Sequence, residues 1–486
     1  MRRTCLARWL TLASLIVFSH LPANGAEQDS DPPLNFVLIL VDDLGWSDLG
    51  CYGATYYESP NIDRLAGEGM RFTDAYAAAA VCSPTRAALI TGRYPARIGI
   101  TDWMRQAPQK HPTPADAFPD DAYEDVGEKL ITPKNPFWMD LEEETLAELL
   151  QRAGYATAQI GKWHLGAQPW YPDKQGFTFH RGGSDLGQPP HYFFPYSQSP
   201  TKLLSGLEKG KDGEYLTDRE AEEAVRFIRK NKDNPFFLYL AHYAVHTPIQ
   251  AKPELTRKYK AKEASDQNNA AYAAMIDSVD QSVGKVLKEL DSLGLSDQTV
   301  ILLTSDNGGL ASVTNNAPLR AGKGTPYEGG IRVPLIVRWP DVVQAGSESN
   351  VPVSSIDIFP TVLDIAGIPL FDDPMIDGKS LLGILEGDEE LGREAIYWHF
   401  PHYRGGDATP YGIVRSGNHK LIRFYEDGQL ELYDLKEDLG EEHNLAESMP
   451  DRAKQLDMML SKWLLGVNAK LPKSKPNKPP VEPDSP

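Results

Sequence analysis

Short continuous apolar runs recur along this chain, and most of them stop abruptly at acids, amides, lysine or histidine. Residues 35–41, Asn-Phe-Val-Leu-Ile-Leu-Val, lack the alternation of a half-buried strand and read as a strand covered on both faces. That run ends at Asp42-Asp43. Residues 156–160 run into Gly161-Lys162-Trp163-His164, residues 235–241 lead to His246-Thr247-Pro248, and residues 299–305 stop at Asp306-Asn307-Gly308. Helical periods separate them. Residues 61–70 start from an Asn cap, 142–153 is an amphipathic stretch closed by Gly154, and 217–230, 270–293 and 357–366 follow, with a strand over 333–338. Buried strands alternating with helices predict an α/β fold, a large and mostly parallel sheet sandwiched by helices.

From about Tyr397 the period changes to alternation. Residues 412–415, 420–425 and 430–434 read as strands, with Glu426-Asp427-Gly428 as a hairpin turn and a helix near 451–465. The expected organisation is an α/β catalytic domain over 34–368 and a smaller C-terminal antiparallel sheet plus helix over 395–468. A Pro- and Lys-rich tail over 470–486 is expected to be disordered. Segments 105–140 and 166–215 are loop-like and are expected to frame a site.

In open parallel sheets the carboxyl ends of the strands share one rim, where ligands bind, so the polar endings are expected to converge. Asp42, Asp43, Asp306 and Asn307 offer only oxygen, which suits Ca²⁺ or Mg²⁺ and disfavours zinc. Between the first two endings lies Val81-Cys82-Ser83-Pro84-Thr85-Arg86, which reads as the start of a helix with Ser83 as a cap and Pro84 in its first turn. Cys82 then occupies a helix N-terminus, with Arg86 one turn on, which makes an anion site holding a nucleophile.

Composition changes this picture in three ways. With 41% hydrophobic and 24% charged residues in 486, the chain can bury a substantial core. Its net charge of −19 argues against nucleic acid as a partner and requires a polyanionic substrate to be captured by a local basic pocket. Residues 1–26 combine Arg2, Arg3 and Arg8, a short apolar run and a small-residue zone, so they read as a signal peptide without stable membrane insertion, and the mature chain as exported, periplasmic or secreted. Cys51 and Cys82 remain after cleavage; a disulfide between them and a chemically converted Cys82 exclude each other.

Cys-x-Pro-x-Arg followed by Thr91-Gly92-Arg93, the Asp42-Asp43 and Asp306-Asn307 endings, Gly161-Lys162-Trp163-His164-Leu165-Gly166 and the run 320–334 together resemble the type I sulfatases of the alkaline phosphatase superfamily. The resemblance spans nearly the whole mature chain. It implies that a maturation enzyme oxidises Cys82 to Cα-formylglycine and that one Ca²⁺ is held by Asp42, Asp43, Asp306, Asn307 and residue 82. It further implies that Arg86 holds the formylglycine and that Lys162, His164, His246 and Lys323 surround the sulfate and its leaving group. In that family a hydroxyl of the hydrated aldehyde attacks sulfur, His246, with Lys323, serves the departing alcohol, and His164 helps the aldehyde to reform. Thr85 stands where many relatives carry Ser. The implied substrate is an aryl sulfate or a sulfated carbohydrate, the latter favoured by candidate pocket residues Trp103, His191, Tyr192, His399, His402 and Tyr403. Two rival readings stay open: a phosphatase or phosphonate monoester hydrolase of the same superfamily, and a non-catalytic protein that binds sulfated polysaccharide.

Overall fold

Phe36, Leu38 and Leu40 face one side of the first strand and Val37, Ile39 and Val41 the other, and all six are fully buried. An apolar run without alternation is what a strand between two helical layers requires. The computed structural model describes residues 32–107, 112–119, 121–197, 199, 202, 204–370, 375–404 and 408–475. Among these residues the first strand, β1 (Asn35–Val41), lies inside an eight-stranded sheet with β2 (Met70–Phe72), β3 (Ala156–Gly161), β4 (Phe179–Arg181), β5 (Phe236–Ala241), β6 (Thr299–Ser305), β7 (Leu335–Arg338) and β8 (Ser347–Ser349). The spatial order is β8-β2-β7-β6-β1-β5-β3-β4. β6, β1, β5, β3 and β4 run parallel, and β7 is antiparallel to both of its neighbours.

Helices α1 (Cys82–Thr91) and α4 (Ile358–Ile365) cover one face, and α2 (Leu216–Lys230) and α3 (Ala270–Leu293) cover the other. Gly92 ends α1 with φ +69°, and a Cβ there would stand 2.8 Å from the Phe359 ring on α4. Glycine is therefore required twice over, by the left-handed cap and by the close approach of the two helices.

The C-terminal strands β9 (Ile396–Phe400), β10 (Tyr411–Ser416), β11 (His419–Phe424) and β12 (Leu430–Asp434) form an antiparallel meander. One face sets Trp398, Ile413, Ile422 and Tyr433 against Tyr76, Val81 and Ile331 of the larger part. The other sets Val414, Leu421 and Leu432 against Leu456, Leu460 and Leu464 of α5 (Pro450–Gly466). A buried ion network crosses the seam. Lys420 Nζ reaches Glu328 at 3.0 Å and Glu441 at 2.7 Å, Tyr76 Oη donates to Glu328 at 2.7 Å, and Arg332 and Arg415 both pair with Asp74.

The structure moves several expected boundaries. The first helix spans Pro60–Gly67, not 61–70, and Met70 opens β2. Asn61 does not cap it; its backbone N and side-chain Nδ2 donate to Asp280 of α3, tying the two helices together. The helix expected over 142–153 spans Leu146–Arg152, because Thr145 accepts from Glu148 N and Glu148 answers to Thr145 N, a reciprocal cap that excludes Glu142 to Glu144. The tail is ordered at Lys473–Ser474, which pair with the strand Leu130–Pro133; residues 476–486 and residues 1–26, expected to be a signal peptide, lie outside the described residues.

Lys420 is the shared cation of two fully buried carboxylates, so Lys420→Met leaves Glu441 without its cation and Glu328 with Arg332 in place of two, and is expected to cost ~3–5 kcal/mol. A drop in the urea or thermal unfolding midpoint checks this, and an unchanged midpoint shows the network to be dispensable.

Candidate active site

Parallel pairing of β1 with β5 and β6 brings Asp42, Asp43, Asp306 and Asn307 side by side at the carboxyl rim, and all four are buried. Asp43 takes a left-handed φ of +59°, so the chain turns where the two acids stand. The Asp43 backbone N donates to Asp306 Oδ1 at 3.2 Å, and Asn307 Nδ2 donates to Asp43 Oδ1 at 2.8 Å. Asn307 Oδ1 is buried with no hydrogen-bond partner.

Three cations answer these acids. Lys162 Nζ, one residue past β3, lies 2.7 Å from Asp42 Oδ2, with both side chains fully buried. Arg86 sends Nε and Nη2 to Asp306 Oδ2 at 2.9 and 2.8 Å and donates from Nη1 to the Lys162 carbonyl at 3.0 Å. Lys323 pairs with Asp43 and lies 3.4 Å from Cys82 Sγ. Burial, and next the neighbouring Asp306, push the Asp42 carboxyl well above its usual range, with Lys162 and Arg86 opposing. Burial also works against ionising Asp43, but Lys323 and His246 outweigh it and hold that carboxyl low.

Cys82 opens α1 at the centre of this group. Its Sγ lies 3.8 Å from Asp42 Oδ1, and one ligand atom each from Asp42, Asp43, Cys82 and His246 fall within 4.8 Å of one another. Ser83 does not cap α1, contrary to expectation: Val81 holds the cap position, Cys82 is the first helical residue, and Pro84 is the third. Ser83 Oγ instead donates to the His164 carbonyl at 3.0 Å and accepts from Met104 N at 2.9 Å, stitching three loops together behind the cysteine. Burial pushes the Cys82 thiol up, yet Lys162, Lys323 and the two histidines together hold it well below the usual thiol range. The same charges would stabilise any anion carried at that position. Cys51 and Cys82 are both free. Burial and Asp63 push the Cys51 thiol up to about 12, as suits an inert residue.

The two histidines differ in chemistry. His164 Nε2 bonds to the Met104 carbonyl at 2.9 Å, and because a carbonyl only accepts, the ring proton sits on Nε2. Its Nδ1, lying against Cys82 without a hydrogen bond of ordinary geometry, is then an acceptor, and burial lowers the pKa of the ring to about 4, so it is neutral at pH 7. His246 Nδ1 bonds to the Thr247 carbonyl at 2.8 Å by the same logic, leaving Nε2 turned toward Asp43 Oδ2 at 3.6 Å. Tyr192 Oη fixes this turn by donating to the carbonyls of Tyr243 and His246 at 2.7 and 2.8 Å.

These groups floor a cavity of about 410 Å³, open on one side. Of the aromatic and histidine residues expected to line a sugar pocket, Trp103 does so. The other five are corrected by their contacts. Tyr192 is fully buried, His399 is held by Tyr425 and the Lys470 carbonyl, His402 by Thr101, Tyr403 by Leu130 N and Glu426, and His191 by the backbone of Phe193. Gln106, Asp185, Lys202 and Arg404, which the sequence pattern did not single out, take those places. Ser282, His242 and Glu220 also line up, at 3.0 and 2.6 Å, like a hydrolytic triad. They are fully buried between α2, α3 and the sheet, where no substrate reaches, so they serve as a satisfied core network.

The model of the Sulfatase family matches residues 34–368, and that of the N-sulphoglucosamine sulphohydrolase C-terminal region matches residues 322–470. A sulfatase of Formosa agariphila is 32% identical over 95% of this chain and 94% of its own length. The human N-acetylgalactosamine-6-sulfatase is 34% identical over 80% of this chain and 72% of its own. The crystal structure of Ps i-CgsB in complex with k-i-k-neocarrahexaose is similar at a TM-score of 0.75 and 32% identity, covering 89% of this chain and 93% of that one. With the fold, the oxygen-rich rim and these matches in agreement, the chain belongs to the sulfatase family of the alkaline phosphatase superfamily and is a sulfuric ester hydrolase.

Proposed function

We propose that this enzyme cleaves the sulfate ester of a sulfated carbohydrate, using a formylglycine made from Cys82 and one Ca²⁺ held by Asp42, Asp43, Asp306 and Asn307. The observation that carries this reading is the crowding of three buried carboxylates with an orphaned amide oxygen, Asn307 Oδ1, around Cys82. An all-oxygen donor set with an unsatisfied acceptor, in which one carboxyl is pushed up by its neighbour, fits a hard divalent cation. When bound, the ion and the hydrated aldehyde would supply charge neutralisation and an activated hydroxyl nucleophile.

The chain's own residues account for the rest. Lys162 and Lys323 neutralise charge on the sulfuryl oxygens as the ester bond lengthens. Arg86, held on Asp306 and the Lys162 carbonyl, positions residue 82 and the Asp306 carboxylate. His246, its Nδ1–H held on the Thr247 carbonyl, presents Nε2 on the open side of the rim, where as the doubly protonated imidazolium it can give the Nε2 proton to the departing oxygen. His164, neutral with a free Nδ1 against residue 82, takes the proton that lets the aldehyde reform and sulfate leave. Cys82, Thr85 and Arg86 are at most 3% exposed, so the maturation enzyme must reach this segment before the chain closes over it. Trp103, more than a third exposed beside the cavity, offers a flat face to a sugar ring, and the neocarrahexaose bound by Ps i-CgsB supports a carbohydrate ligand. Among the described residues one cluster of at least three metal-binding side chains is found, the one at Cys82, so no observation favours the two-metal site expected of a phosphatase. We also propose export directed by residues 1–26, on the strength of their charged, apolar and small-residue order.

Two outcomes are expected. Protein from its native host carries oxoalanine in place of cysteine at position 82 by peptide mass spectrometry, and it releases sulfate in a manner abolished by Cys82→Ala and by chelation, with Ca²⁺ restoring the chelated enzyme. An unmodified thiol in every molecule overturns the reading. His246→Ala is expected to slow release from a sugar sulfate by ~10²–10⁴-fold, but much less from nitrophenyl sulfate, whose leaving group needs no proton. Equal losses on both would remove His246 from the acid role.

A further inference from the structure

Among the described residues Arg404 is the one arginine that lines the cavity, and it has no ion pair there. The buried arginines of the described residues are spoken for, Arg86 by Asp306, Arg332 and Arg415 by Asp74 and Arg338 by Glu68, and so is the part-buried Arg393 by Asp357. Arg404 forms no ion pair among the described residues, and its Nη1 is buried with no hydrogen-bond partner. The position is built. Arg404 arrives from the connection between β9 and β10 of the C-terminal sheet and lays its guanidinium on Gly324, the residue after Lys323. Gly324 takes φ +84°, and a Cβ there would stand 2.8 Å from Arg404 Nη1, so this glycine makes room for the group. Behind it, Asp102 is buried with a carboxyl that accepts from Trp103 N and stands close enough to feel the Arg404 charge, but does not pair with it. Trp103, Gln106 and Asp185 share the same wall.

A guanidinium that lines the cavity next to the residue after Lys323 and has no carboxylate paired with it among the described residues is an open position for an anion. Lys323 and Lys162, which stand at the rim beside Cys82 and Asp42, are the cations assigned above to the scissile sulfate, so Arg404 is surplus to that task. We propose that Arg404 reads a second anionic group on the sugar, a carboxylate or another sulfate, and that the preferred substrate is therefore a polyanionic saccharide. The proposal rests on the carbohydrate sulfatase reading above and deepens it. It also gives the C-terminal sheet a part in specificity, since that sheet delivers the group that touches substrate away from the reacting ester.

Binding is the readout, by titration calorimetry on the Cys82→Ala protein, where no turnover intervenes. Failure of sulfate release by the wild type would then count against the reaction without deciding this proposal. Two matched pairs are compared: galactose monosulfate with galactose disulfate, and a chondroitin sulfate disaccharide with its uronate methyl ester. The member with the extra anion is expected to bind at least ~10-fold tighter in one pair, and which pair responds tells sulfate from carboxylate. Adding Arg404→Ala is expected to close that gap and Arg404→Lys to restore part of it, with unfolding midpoints confirming that both variants fold. Equal binding within both pairs, or a gap that survives Arg404→Ala, overturns the proposal.

Discussion

Charge balance at the carboxyl rim is the constraint on which the rest of the structure depends. Asp42, Asp43 and Asp306 are withdrawn from water, and so are Lys162, Arg86 and Lys323. An isolated buried ion costs several kcal/mol, and that is recovered only when a partner and further hydrogen bonds meet it. Each acid here has its cation at 2.5–2.8 Å. The pairing is nonetheless incomplete, since the Asp42 carboxyl is pushed up by burial and next by Asp306, and Asn307 Oδ1 has no donor among the described residues. A rim balanced in this way can accept a cation on its acidic side and an anion on its basic side. These are the two demands of cleaving a sulfate ester.

The scaffold serves that balance directly. Parallel registry sets Val41 beside Ser305 and Leu40 beside Ala241, so the residues that follow emerge together, with no loop needed to bring them in. Helix α1 then places Cys82 among them, and Ser83 fastens the approach by bonding to the loops that carry His164 and Met104. The rigid sheet fixes the acids, while the histidines sit on turns held by carbonyl contacts and by Tyr192. Precision at the reacting centre thus comes from strand ends, and proton traffic is left to loop residues tuned by burial.

The C-terminal sheet is integral to this arrangement. It shields Val81 and Tyr76 with Trp398 and Ile413, neutralises Glu328 through Lys420, and brings Arg404 to the cavity. A part of the chain that contributes nothing to the acidic rim therefore lines the same cavity. That division lets the wall of the cavity vary while the rim that meets the sulfate ester stays fixed.

By itself the sequence determined the layered α/β fold and the identity of the rim. An apolar run covered on both faces, ended by a polar residue, is a property of backbone and periodicity, and the rule that parallel strands share one carboxyl rim does the remaining work. Asp42, Asp43, Lys162, His164, His246, Asp306 and Asn307 were legible on that basis, Cys82 and Arg86 from the start of a helix and Lys323 only through the family resemblance, and they do converge. Tertiary structure alone decided the partners. Ser83 looks like a cap until His164 and Met104 are seen to claim its hydroxyl, and Asn61 looks like one until Asp280 does. His402 and Tyr192 have the chemistry of pocket residues, yet Thr101 and the His246 turn consume them. Arg404 carries no local signal at all, because its meaning lies in its having no ion pair among the described residues and in a glycine eighty residues upstream that leaves it room. A side chain's neighbours across long sequence separations are set by packing, and no local pattern encodes them.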